Sequence, residues 1–141
     1  MFTRILMALK FATASEFALV KGVELAKTHG AEFHIFHALD WSLTNLDDSD
    51  PKVVEEKQEA ENYYEAKIKP LLGDLKDVAF KCRPADPGME VIKQARQLNA
   101  DLIILGCHQL PEKMGLGRVD YVGITILEKA PCPIMLIPFN G

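Results

Sequence analysis

The sequence is short of cysteine, of long apolar runs and of charge gathered in one place, and each shortage excludes a class of protein. Its three cysteines, Cys82, Cys107 and Cys132, form an odd set without a CxxC pair, so neither a disulfide framework nor a zinc ribbon is indicated. Reduced thiols in a reducing compartment fit best. No apolar stretch approaches the roughly 20 residues of a membrane span, and the opening MFTRILMALKF has no small-residue cleavage site; a soluble chain that stays in the cytoplasm is expected. Acidic residues exceed basic ones by 20 to 16, with neither sign in a block, which leaves no electrostatic footprint for nucleic acid or an anionic membrane. Internal repeats, low-complexity segments and linkers are also missing. At 141 residues the chain is long enough for one core and too short for two, so one domain over 1–141 is expected.

What is there is an alternation of short apolar runs and helix signals. Ile5 to Leu9 is an unbroken apolar run too brief for a buried helix and reads as a strand covered on both faces. Thr13-Ala14-Ser15-Glu16 reads as a capping box. It opens a helix from about Ser15 to His29, with Leu19, Val23 and Ala26 on one face and Gly30 to end it. Glu32 to Leu39, aromatic and β-branched, is the second strand, and the polar cluster from Trp41 to Asp50 is a loop. Asp50-Pro51 starts a helix that continues to about Leu72, where Gly73 and Asp74 stop it. In Val78 to Arg83 apolar residues alternate with Lys81 and Arg83, the pattern of a sheet edge. Asp86-Pro87 starts a third helix with Val91, Ala95 and Leu98 buried. Leu102 to Leu105 is a central strand, Asp120 to Lys129 a helix, and Ile134 to Ile137 the closing strand.

Strands and helices in strict alternation, with connections of this length, imply parallel strands and right-handed crossovers. The expected architecture is a three-layer α/β/α open parallel five-stranded sheet. With strand order 3-2-1-4-5, a crevice opens at the carboxyl ends of the first and fourth strands, where open α/β sheets bind ligands. Lys10 would then face the segment that runs from Gly106-Cys107-His108-Gln109 to Gly115-Leu116-Gly117-Arg118-Val119-Asp120.

That segment and the amino end of the last helix could cradle an anion, because free N–H groups and the helix dipole favour phosphate and glycines permit close approach. A surface loop whose glycines merely turn the chain is the plainer alternative. GLGRVD lacks the third glycine of a dinucleotide fingerprint, and GxxxxGK[ST] is absent. Strand one ends in Lys10, where a receiver domain would need acidic residues for Mg²⁺. His34 and His37 fall on opposite faces of one strand and cannot share a metal; packed or hydrogen-bonded histidines are expected. Cys107 and His108 are adjacent and have no local carboxylate to orient the imidazole, so neither catalysis nor metal binding is expected of them. Tyr63 and Tyr64 read as packing residues.

RILMALKFATASEFALVKGVELAKTHGAEFHIFHALD, NADLIILG and EKAPCPIMLIP together resemble the first strand, helix and second strand, the fourth strand, and the closing junction of the universal stress protein family, over nearly the whole chain. The resemblance implies a nucleotide α-hydrolase-like fold and a cytoplasmic homodimer paired through Ile134, Met135, Leu136 and Ile137. It also implies a role in stress survival, through protein partners that stay unknown, without a defined reaction. ATP-binding members carry an aspartate where this chain has Lys10, and Gly-x-x-Gly, nine residues, then Gly-Ser or Gly-Thr. Here Gly106 is kept, Gln109 replaces the second glycine, and Asp120-Tyr121 takes the Gly-Ser place. Gly106-x-His108-Gln109 is similar to the subgroup that does not bind ATP, so the expectation is a non-enzymatic protein without standard ATP binding. An alternative alignment sets Gly117-Arg118 against Gly-Ser and keeps a rearranged cradle for ATP, AMP or another small phosphorylated ligand; a slow nucleotide hydrolase is the third reading. The positions implied for such a ligand are Ala8, Leu9, Lys10, Ala38, Gly106, His108, Gln109, Gly117, Arg118, Asp120 and Tyr121. Asp120 would oppose a phosphate through like charge while Lys10 and Arg118 would favour it.

Overall fold

Five strands lie in one sheet in the order β3-β2-β1-β4-β5, and every pairing is parallel. The computed structural model describes residues 1–108 and 120–140. Along the chain they form β1 (Arg4–Ala8), α1 (Thr13–His29), β2 (Glu32–Leu39), α2 (Pro51–Tyr63), β3 (Ala79–Pro84), α3 (Pro87–Leu98), β4 (Leu102–His108), α4 (Tyr121–Lys129) and β5 (Ile134–Phe139). No helix among the described residues is long and apolar enough to cross a membrane.

The apolar runs of the central strands are buried on both faces because each face carries helices. Ile5, Met7, Phe33, Ile35, Leu102 and Ile104 pack with Leu19, Val23 and Ala26 of α1 and with Ile68 and Leu72. Leu6, Phe36, Ile103 and Leu105 pack on the other face with Val91, Ile92 and Ala95 of α3 and Ile126 of α4. Each large side chain buried in this way contributes about 1.5 to 3 kcal/mol. Asp101, just before β4, fixes the start of β1: its carboxylate accepts from Thr3 N at 2.8 Å, Thr3 Oγ1 at 2.9 Å and Arg4 N at 2.9 Å.

Local signals account for most boundaries. Asp50 and Asp86 cap α2 and α3 by accepting from Lys52 N and Gly88 N, each with proline in the first turn. Gly30 ends α1 at φ 63°, a left-handed conformation that costs glycine little. β3 is an edge strand with Lys81 and Arg83 exposed and Cys82 buried. Tyr64 stacks on Phe80 at 4.2 Å and Tyr63 on Phe11 at 4.2 Å, so both tyrosines pack.

Three expectations are corrected. Thr13 and Glu16 form no capping box: Ala12 is the N-cap and no side chain caps α1. Glu16 instead accepts the Tyr63 hydroxyl at 2.8 Å, and Ser15 Oγ accepts from Lys10 N at 2.8 Å. The second helix is not one α-helix to Leu72, since Tyr64–Ile68 is a π turn and Lys69–Leu72 a 3-10 turn. Pro70 has no N–H to continue the α pattern. The fourth strand runs beyond Leu105, because β5 reaches Phe139 and supplies ladder partners to Gly106, Cys107 and His108.

Candidate functional site

A crevice of about 520 Å³ opens at the carboxyl edge of the sheet, between the ends of β1, β2 and β4 and the first turns of α1, α3 and α4. The crossovers bring all these ends to one side because every strand points the same way.

Lys10 and Asp120 join across it. Chain reversal after β1 is set locally: Ser15 Oγ accepts from Lys10 N, and Ala12 N donates to Lys10 O at 2.9 Å. The Lys10 ammonium lies 2.6 Å from Asp120 Oδ2. The other carboxylate oxygen, Oδ1, accepts from Gly123 N at 2.8 Å and caps α4. Burial pushes the Asp120 carboxyl up, but the Lys10 ammonium and the Gly123 N–H outweigh it and hold it below the usual carboxylate range.

Gly106 occupies its place for a steric reason. A Cβ there would stand 2.6 Å from Ala14 O and 3.1 Å from Ala18 Cβ, so the close approach of α1 to β4 demands glycine whatever else the position does. Ala8, Leu9, Ala38 and His108 also line the crevice. Tyr121 is 69% exposed and does not line it; Gln109, Gly117 and Arg118 lie outside the described residues.

Phe36, Val91, Leu105 and Val122 line the crevice too, although the sequence reading did not single them out for the site. The available signal was topological, since α3 and α4 both start at the sheet edge where β1 ends. His37 Nδ1 is 2.9 Å from Leu9 O and its ring stacks on Phe11 at 3.8 Å. Burial lowers its pKa against the opposing pull of the Leu9 carbonyl and Glu56, so it is a packed and hydrogen-bonded histidine. Among the described residues no cluster of three His, Cys, Asp or Glu side chains is placed to hold a metal ion. In β5, Ile134 and Leu136 pack on the α3/α4 side and Ile137 on the α1 side, while Met135 is 36% exposed.

Residues 1–138 match the model of the universal stress protein family. Among solved structures, the universal stress protein UspA from Lactobacillus plantarum superposes with a TM-score of 0.75 at 19% identity, covering 96% of this chain and 97% of that one. A universal stress protein from Archaeoglobus fulgidus in complex with dAMP gives 0.65 at 18% identity, covering 96% and 98%. A universal stress protein in complex with cAMP gives 0.65 at 14%, covering 99% and 98%. At such identities the likeness to these structures is one of fold. No curated protein matches the sequence.

Proposed function

The chain belongs to the universal stress protein family, and from that premise we propose that it is a non-enzymatic, homodimeric stress protein whose crevice does not hold ATP in the standard way. One observation carries this reading: the carboxylate of Asp120 already occupies both the amino end of α4 and the Lys10 ammonium. Those are the two described groups best suited to a phosphate. The exposed ion pair itself contributes only about 0 to 1 kcal/mol, so a ligand could break it. The fixed negative charge would remain. At about 4 Å from a phosphate it opposes binding by about 1 kcal/mol in a water-like medium and about 4 kcal/mol at a protein surface.

The same geometry speaks against catalysis. A carboxyl held below its usual range is a weak proton acceptor, and Asp120 is, with His108, one of the two candidates the sequence offers to the hydrolase reading. Dimerisation rests on β5, an apolar strand at the edge of the sheet formed by the described residues, where an edge strand can pair with a second copy.

The open crevice, together with structures of similar fold in complex with dAMP and cAMP, favours a second reading in which a nucleoside monophosphate binds. Mass spectrometry of the supernatant after denaturing the purified protein, followed by titration with AMP, separates the two. Neither co-purified nucleotide nor saturable AMP binding is expected; micromolar AMP binding would establish the second reading in place of the first.

A further inference from the structure

We propose that β3, at the opposite edge of the sheet from β5, is a docking slot for an extended segment of a partner protein, one that alternates acidic and apolar residues and adds a sixth strand. The inference is independent of what the crevice holds.

Three elements build the slot. β3 pairs only with β2 in the sheet formed by the described residues, so alternate N–H and C=O groups along it point away from the sheet. No backbone hydrogen bond among the described residues reaches Ala79 to Pro84 from outside that ladder. Helices α2 and α3, on opposite faces of the sheet, both line a groove of about 850 Å³ that runs along this edge. From α2 come Val53, Lys57 and Glu61, and from α3 come Glu90, Gln94 and Gln97. Those spacings place one row of side chains from each helix beside the strand. A strand edge between two helical walls suits an extended chain, which supplies the missing ladder partners. Pro84 has no N–H to offer, so the donors end at Arg83.

Alternation along β3 makes the two walls unlike. Phe80 and Cys82 pack on the α2 side, where the Phe80 ring stacks on Tyr64 at 4.2 Å. Lys81 and Arg83 are exposed on the α3 side. Glu90, the carboxylate that α3 brings to the groove, is already engaged: its side chain is 11% exposed, it accepts from Gln94 Nε2 at 3.3 Å, and it stands 4.0 Å from Arg83 Nη1. The α2 side carries both signs, with Lys57 beside Asp48 and Glu61, and with Glu65 paired to Lys69 at 3.3 Å. Positive charge is therefore in excess on the α3 side alone. A partner strand that sets its acidic side chains there lays its apolar ones over Phe80 and Val53. Antiparallel pairing with a second copy would instead put Lys81 and Arg83 beside their own copies on one face, and like charges across a strand pair oppose it.

The end-capped peptides Glu-Val-Glu-Val-Glu-Val and Lys-Val-Lys-Val-Lys-Val are matched probes of opposite charge. Amide NMR titrations of the whole protein should show saturable shifts from the glutamate peptide across Phe80 to Arg83, slowed hydrogen exchange there, and about tenfold weaker binding of the lysine peptide. Two N-methylated forms of the glutamate peptide, blocked at every glutamate or at every valine, separate strand addition from charge alone. A strand pairs through one alternating set of its amides, so one form should bind like the parent and the other about tenfold more weakly or worse. Lys81→Glu should narrow the gap between the two charged peptides; Arg83→Gln is the second variant should the first not fold. No saturable shift with millimolar glutamate peptide, equal binding of both N-methylated forms, a lysine peptide that binds as tightly, or an unchanged gap in the variants would each overturn the proposal. Shifts confined to β5 would do the same. Protection of the β3 amides that grows with protein concentration, without peptide, would give this edge to a second copy and overturn it too.

Discussion

The Lys10 ammonium and the Asp120 carboxylate, 110 residues apart in sequence, meet at 2.6 Å and tie the end of β1 to the first turn of α4. Because Asp120 also caps α4 through Gly123 N, one side chain closes a helix end and neutralises a strand-end cation together.

Lys10→Ala should therefore raise the Asp120 pKa. Burial is the largest influence on that carboxyl and acts upward, so removing the ammonium leaves only the Gly123 N–H and the residue's own backbone to oppose it. Carboxyl carbon chemical shifts followed through an acid titration measure the change. Global stability should fall by less than about 1 kcal/mol, since the pair is exposed; an unshifted Asp120 would show that the ion pair does not persist in solution.

Gly106→Ala should destabilise the fold by about 1 to 3 kcal/mol, the range for overpacking a core. The added methyl meets the Ala14 carbonyl oxygen at 2.6 Å, and backbone cannot rotate away as a side chain can. Urea unfolding measures it. Wild-type stability in this variant would mean that α1 is free to move off β4.

Acid should unfold the protein partly through Asp101 and Asp120. Both have folded pKa values below the ordinary 3.8; for Asp101, burial acts upward but the Arg4 and Thr3 donors outweigh it. A depressed carboxyl stabilises the fold fully above its unfolded value, and that contribution is lost as pH falls through the folded value. Stability measured by denaturant unfolding should thus decline from about pH 4 downward. Asp101→Asn should be less stable at neutral pH and lose less on acidification; an acid limb as steep as that of the wild type would remove Asp101 from the explanation.

Met135→Lys places a charge on the exposed side of β5. If that edge pairs two copies, the variant should run as a monomer in light scattering while keeping its circular dichroism. A variant still dimeric would move the interface elsewhere.

Much of the fold was legible because its signals are local. Asp50-Pro51 and Asp86-Pro87 start helices wherever they stand, alternating Lys81 and Arg83 mark an edge, and unbroken runs such as Leu102 to Leu105 mark buried parallel strands. The site was less legible because it depends on distances between elements. Thr13 and Glu16 have the spacing of a capping box, yet Glu16 takes the Tyr63 hydroxyl, and Ser15 between them serves the Lys10 amide because the chain reverses there. Gly106 carries the mark of a family loop, but only the seating of α1 on β4 shows why no Cβ fits. The resemblance implies Ala8 and Ala38 for the crevice, but only the parallel pairing of β1 with β2 shows that both end on its wall.

The most direct measurement is a calorimetric titration of the wild-type protein and Asp120→Asn with ATP, side by side. Asparagine keeps an acceptor for Gly123 N and removes the charge. No saturable binding is predicted for the wild type, with measurable affinity appearing in Asp120→Asn. Micromolar ATP binding by the wild type, unchanged in the variant, would contradict the claim that Asp120 holds the phosphate place for itself.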